Sequence, residues 1–306
     1  MAVYDCCNFL NENDLYEMKL NQHWDFVDKF IVLEAGETHT GLKKPFKFDK
    51  ERFAKYSEKL IYKTFDSFAE EIRKNMNLID EFTVHDRTRA GQVTDDWVRD
   101  HFQGNYLFKI LLEEGAEDND IILQSGLDEI LRKEAFEKGL ERFKEKDIKY
   151  NMLSGDNPIF LTEDKKQKFQ TRPSFGFELD TYVYKFNLYN QRMCVSLMTE
   201  LSVLKQVLPA TLRSMSMHTH DCIKNAGWHF TFFDDTDGEK VLEKQRSWAH
   251  SKDILPDQKV KFTHSTKEEA LGRMYKDYKA EEVEITPETH PKYLIDNLDK
   301  YKDYIL

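Results

Sequence analysis

Cysteine is scarce in this chain. The four thiols, Cys6, Cys7, Cys194 and Cys222, have neither the density nor the spacing of a disulfide scaffold or a zinc site, and they read as reduced thiols of the core. Basic charge is also in short supply: 45 Lys and Arg face 56 Asp and Glu, a formal charge of -11. That balance excludes a surface built to grip the phosphates of long nucleic acids, so any phosphate bound should be met locally, through a metal. No window is apolar over the length a membrane span needs. The opening, MAVYDCCNFLNENDLYE, lacks the basic start and long apolar run of a signal peptide, so a soluble, cytoplasmic protein is expected. A Gly-rich phosphate loop, an internal repeat and a low-complexity tract are all missing.

What is present is enough for a sizeable core: 306 residues, 40% hydrophobic and 13% aromatic. Ala2 to Phe9 reads as a strand, after which Asn11 or Asn13 is placed to cap a helix running toward Trp24. Val27 to Ala35 reads as a strand buried on both faces, because Phe30 to Leu33 is continuously apolar rather than alternating. Further strands are predicted at Lys59 to Phe65 and Asn119 to Ser125, with a helix from Thr94 to Glu114 between them. A helix and a strand follow between Gly139 and Leu153. This alternation predicts an α/β fold with a mostly parallel central sheet and helices on both faces. The charged run Thr162 to Pro173 reads most simply as a solvated loop.

In such sheets ligands bind at the carboxyl ends of the strands. There the apolar run of ILQSGLDEIL, residues 122–131, stops at Ser125 and Gly126 and gives way to adjacent acids, Asp128 and Glu129. Two acids in that place are either the N-terminal acids of a following helix, where the helix dipole favours them, or a hard-metal site at the mouth of the sheet. In GWHFTFF, strand alternation turns His229 away from Trp228, Phe230 and Phe232, toward a metal shell or a phosphate. His250 is an alternative contact of the same kind, whereas His218, His220 and Asp221 read mostly as surface. Asn11, Glu12 and Glu34 fall at predicted strand ends, where a base and ribose would sit, although each equally suits a helix cap or a loop acid.

Several blocks, in order along most of the chain, resemble glycosyltransferase family 17, the β-1,4-mannosyl-glycoprotein β-1,4-N-acetylglucosaminyltransferases and their bacterial and viral relatives. They are NENDLYEMKLNQHWDFVDKFIVLEAGETHTGLKKPFKF, DDWVRDHFQGNYL, DNDIILQSGLDEIL, NAGWHFTFF, EKQRSWAH and HPKYLIDNLDKYKDYIL. The resemblance implies a single Rossmann-like domain of the GT-A type over residues 1–255, with a C-terminal helical extension, residues 256–306, packed on it. It implies a metal-dependent inverting enzyme moving a sugar, N-acetylglucosamine above all, from a UDP-sugar to a glycan or other hydroxyl acceptor.

In the resemblance Mn²⁺ or Mg²⁺ is held by Asp128, with Glu129 in support and His229 or His250 completing the shell. The base that takes the acceptor proton is sought in Glu178 or Asp180. The chain departs from the family pattern at Gly126, where an Asp is expected, and at Gly104, where an Arg is expected. Two other classes stay open on sequence: a nucleotidyltransferase, which also sets paired acids on an α/β sheet, and a nucleotide-sugar or glycan-binding protein with an impaired site.

Overall fold

The computed structural model describes residues 1–79, 95–144, 174–216, 222–233, 238–249 and 279–306. Its centre is a mixed sheet of nine strands: β1 (Val3–Phe9), β2 (Lys29–Ala35), β3 (Leu60–Phe65), β4 (Ile121–Gln124), β5 (Glu129–Leu131), β6 (Ser174–Val183), β7 (Leu188–Glu200), β8 (Cys222–Thr231) and β9 (Glu281–Glu282). They lie in the order β3-β2-β1-β4-β7-β6-β8-β5, with β9 added to β7.

The half that the sequence marks most clearly is parallel: β3, β2, β1 and β4 all run one way. Beyond β4 the mostly parallel expectation fails. β7 is antiparallel to both β4 and β6, β5 is antiparallel to β8, and only β6 with β8 is parallel. The reason is the length of a link: Tyr184 to Asn187 joins β6 to β7, and four residues suffice for a hairpin but not for the crossover a parallel pair needs.

Helices cover both faces, as the alternation predicts. Side chains of β1 point alternately to two cores. Val3, Cys7 and Phe9 face a cluster containing Leu15, Tyr16 and Met18 of α1 (Asn13–His23), whereas Tyr4 and Cys6 face a cluster with Phe102, Leu107 and Ile110 of α2 (Asp95–Glu113). Both clusters are fully dry at their centres, with Phe102, Ile122, Phe175 and Leu197 all at 0% exposure. Burying each such side chain contributes about 1.5–3 kcal/mol. Three further helices matter for the site: α3 (Lys133–Lys144), α4 (Pro209–Ser216) and α5 (Glu239–Ser247). Leu294, Tyr301 and Tyr304 of the C-terminal region enter the same core as α1. The 255/256 boundary, the strand predicted to end at Leu153 and the Thr162 to Pro173 loop lie outside the described residues.

Two local expectations are corrected. The residue flanking α1 is Glu12, not Asn11 or Asn13, and its side chain makes no cap to the helix because it turns back to accept from the Leu10 and Asn11 N–H groups. Asn13 instead ties α1 to the loop after β2, donating to Lys47 O at 3.0 Å and accepting from Asp49 N at 3.1 Å. The second correction concerns the acid pair. Asp128 and Glu129 do not open a helix; Glu129 begins β5, whose register sets Glu129 opposite His229, and α3 starts only at Lys133.

Candidate active site

A cavity of about 540 Å³ opens where β1, β2 and β4 end, bounded by α2, α4 and α5. The turn between β4 and β5 forms one wall. What holds that turn is a polar cluster beneath it. Lys19, fully buried, donates to Ser125 Oγ at 2.5 Å and to Gly126 O at 2.9 Å, and lies 3.1 Å from Asp5 Oδ1. His23 Nδ1 donates to Asp5 Oδ2 at 2.7 Å while its Nε2 accepts the Leu131 N–H at 2.7 Å, so α1 grips the turn at both ends. Burial opposes the Lys19 charge, but Asp5 reverses that and raises the ammonium above its ordinary value; burial pushes His23 down, toward the neutral form its two bonds require.

The two acids have different duties. Glu129 is 2% exposed and its oxygens are fully engaged: they accept from Gly126 N and Ser196 Oγ, each at 2.8 Å, and from both terminal nitrogens of Arg213 on α4. Burial would raise this carboxyl, yet the Arg213 charge holds it below the ordinary range. Asp128 lines the cavity. Its Oδ2 accepts from Lys244 Nζ of α5 at 2.8 Å, and its Oδ1 lies 3.7 Å from His229 Nε2. Burial again works against the charge; Lys244 first, then His229, overcome it and hold the carboxyl far below the usual carboxylate range. Lys244 is also 3.5 Å from Glu12, and the two acids, Asp128 above all, raise its ammonium well above the ordinary lysine range against the effect of burial.

His229 faces away from the buried Trp228, as strand alternation predicts, and stands beside Asp128 just off the cavity lining. The alternation ends at Thr231: Phe232 has φ 53° and joins Trp248 and Val241, and Phe233 turns back into the main core. One ligand atom from each of Asp128, Glu129 and His229 falls within 4.8 Å of the others. With Glu129 committed to Arg213, Asp128 Oδ1 and His229 Nε2 are the two atoms able to share a cation. A carboxylate and an imidazole suit a divalent ion that takes its remaining ligands from phosphate oxygens and water.

The other sequence candidates separate. Glu12 lines the cavity; Asn11 does not, donating instead to Glu243 at 2.7 Å. Glu34 is 0% exposed and organises the loop after β2, accepting from Lys44 Nζ at 2.6 Å, Lys47 N at 2.7 Å and Tyr62 Oη at 2.8 Å. Glu178 pairs with Lys224 at 2.7 Å and Asp180 with Arg192 at 2.9 Å, and neither reaches the cavity. His218, His220, Asp221 and His250 lie outside the described residues.

Sequence reasoning passed over the cations Lys244 and Arg213, and also His39 and Asp100, which face one another at 3.3 Å on the opposite wall. Nothing local marks them. Lys244 and Arg213 sit in helices far along the chain, and only the fold brings them to the turn. Gly104 and Gly126, the two departures from the family pattern, both line this cavity.

Residues 1–140 match the family model of glycosyltransferase family 17. The match makes the protein an enzyme of glycosyl transfer. Within that class, residues 1–140 are similar to family 17. The matched range carries β1, α1 and the acids Asp128 and Glu129, whereas Arg213, His229 and Lys244 lie beyond it. A search of curated proteins finds no match.

Proposed function

We propose that this cavity binds a UDP-sugar, with N-acetylglucosamine as the sugar, and transfers it with inversion to a hydroxyl of a glycan, within a single domain of the GT-A type. The observation that carries the reading is the meeting, at the carboxyl ends of parallel strands, of Asp128 with two cationic side chains, Lys244 and Arg213, in one cavity wall. A nucleoside diphosphate leaving group needs positive charge where its negative charge develops, and both cations stand there already oriented. Trp97 and Trp248 add aromatic surface against which the apolar face of a sugar ring packs.

Mn²⁺ or Mg²⁺ would be held by Asp128 and His229, and when bound it neutralises charge on the departing diphosphate. The remaining work falls to the chain's own residues. Lys244 and Arg213 hold diphosphate oxygens, Glu129 fixes Arg213, and Lys19 with His23 keeps the turn in place. For the base, four carboxylates line the cavity: Glu12, Glu37, Asp100 and Asp128. Asp128 is occupied by Lys244, Glu12 by the Leu10 and Asn11 N–H groups, and Glu37 by Phe68 N–H at 3.0 Å. Asp100, 3.3 Å from His39 Nδ1 and with its side chain 37% exposed, is open to an acceptor. In the transfer the acceptor oxygen forms a bond to the anomeric carbon, the bond from that carbon to the phosphate oxygen breaks, UDP departs, and the acceptor proton passes to Asp100. The four cysteines are all free thiols, which suits a cytoplasmic enzyme, and no helix among the described residues is long and apolar enough to cross a membrane.

The test is a thermal-shift panel of nucleotide sugars with and without Mn²⁺, since a ligand of the folded state raises its apparent stability. UDP-N-acetylglucosamine with Mn²⁺ should give the largest shift. Equal or absent shifts across the panel would contradict the donor assignment.

A further inference from the structure

The inner end of the cavity differs from its charged wall. β1 and β4 run side by side with Cys6 opposite Gln124, and Asn8 follows Cys6 by two residues, so Cys6, Asn8 and Gln124 share one face of the sheet. All three line the cavity, together with Ala35, Gly104, Leu107 and Ala210. These neighbours are small or apolar, and a Cβ built on Gly104 would already sit 3.6 Å from the Ala210 Cβ, so the walls stand close.

Against these walls lie two amides whose oxygens have no partner among the described residues. Gln124 is 5% exposed, and its Oε1 and the Oδ1 of Asn8 are both buried without a hydrogen-bond partner among the described residues. Buried amide oxygens are nearly always satisfied, so two unsatisfied ones on residues that line one cavity mark amides that a ligand supplying a donor would complete once they turn toward it. The third amide of the region, Gln103, differs: it accepts from His39 at 2.8 Å and donates toward Leu33 O, and is complete without a ligand.

A narrow apolar slot edged by amides matches a flat heterocycle with an N–H on its rim. Uracil presents N3–H between two carbonyls, and a side-chain amide answers that edge with an oxygen for the N–H and an NH₂ for a neighbouring carbonyl. The slot also adjoins the cationic wall, because Arg213, which grips Glu129, reaches toward the Gln124 carbonyl at 3.5 Å.

We propose that Asn8 and Gln124 read the N3–H edge of the uracil base, with Gly104 and Ala210 framing the slot that admits the ring. The proposal rests on the reading of this cavity as a nucleotide-sugar site and assigns its base specificity to two residues.

The test uses calorimetry on the full chain with Mn²⁺, titrating UDP, N3-methyl-UDP and inorganic pyrophosphate. The wild type should bind UDP at least tenfold more tightly than N3-methyl-UDP, which lacks the donor. In the near-isosteric double variant Asn8→Leu, Gln124→Met that preference should fall to twofold or less, while pyrophosphate affinity stays at the wild-type level and reports an intact cationic wall. Equal binding of UDP and its N3-methyl form by the wild type would overturn the proposal and leave the nucleotide reading standing, as would a tenfold preference surviving in the double variant. Failure of all three ligands to bind the wild type would overturn both. Because the first comparison needs no substitution, the proposal can fail even if the double variant does not fold.

Discussion

Lys244 Nζ lies 2.8 Å from Asp128 Oδ2, so the carboxylate best placed to hold a divalent ion already holds an ammonium. The two side chains are 20% and 12% exposed, which leaves their attraction only partly screened. A metal held at Asp128 Oδ1 therefore shares one carboxylate charge with Lys244 on Oδ2, which weakens the hold on the lysine and frees it to meet a phosphate. The same pair is a stability element in two pH directions. Its carboxyl is depressed, so that contribution is present above the ordinary carboxylate range and lost only in strong acid; its ammonium is raised, so that contribution persists until pH exceeds the ordinary lysine value.

Lys244→Met should separate those roles. Without the ammonium, Mn²⁺ titrated by calorimetry should bind several-fold more tightly, while sugar transfer falls because a cation facing the diphosphate is gone. The fold should lose about 1–3 kcal/mol, between the values for surface and fully buried pairs. Unchanged metal affinity would show that Lys244 does not compete for Asp128.

Glu129→Gln should act on the fold first. It leaves Arg213 facing a neutral amide in a setting where the acid is 2% exposed, a loss of about 3 kcal/mol or more, readable as a lowered urea midpoint. Transfer by the surviving folded fraction should fall less than in a variant of Asp128. A variant with wild-type stability would contradict the clasp between Glu129 and Arg213.

Gly126→Asp tests whether the turn accepts a third acid. A Cβ there would come within 2.6 Å of Asp128 Oδ1 and 2.8 Å of Glu129 Oε1, the far ends of side chains that have to move aside, and the new charge adds repulsion. Without metal the melting temperature should drop; with Mn²⁺ it should recover by more than the wild type gains. A drop that Mn²⁺ leaves untouched would mean that the added acid does not reach a cation.

Much of this was readable in advance, and the parts that were not share one cause. β1 through β4 and α2 are written in contiguous apolar runs, and His229 is written in the alternation with Trp228, because those patterns depend only on neighbours in sequence. The reversal of strand direction at β7 depends on a four-residue link whose meaning emerges only once both flanking strands are known. Lys244, Arg213 and Asp100 are charged residues on helices, indistinguishable in sequence from solvated ones. Glu34 illustrates the opposite error: an acid at a strand end suggests a ligand contact, yet Lys44, Lys47 and Tyr62 satisfy it wholly within the protein.

Acid should weaken the fold earlier than its carboxylates alone require. His23 and His290 are buried, and burial depresses both below the ordinary histidine value of 6.5. A depressed histidine favours the folded state above that value, and its contribution is lost as pH falls through the folded-state value. The melting temperature should therefore begin to fall below about pH 6.5. His23→Gln should flatten part of that slope, at the cost of a lower plateau because the Asp5 and Leu131 bonds are disturbed. A slope identical to wild type would remove His23 from the account.

The most direct measurement compares wild type with Asp128→Asn in a Mn²⁺ titration followed by the rate of UDP-sugar hydrolysis or transfer. Asparagine keeps the shape of the side chain and discards the charge that holds the cation. The account predicts weakened Mn²⁺ binding and a rate lower by more than a hundredfold, the equivalent of about 3 kcal/mol of transition-state stabilisation. Wild-type affinity and rate in Asp128→Asn would contradict the central claim and leave Asp128 as a partner of Lys244 and nothing more.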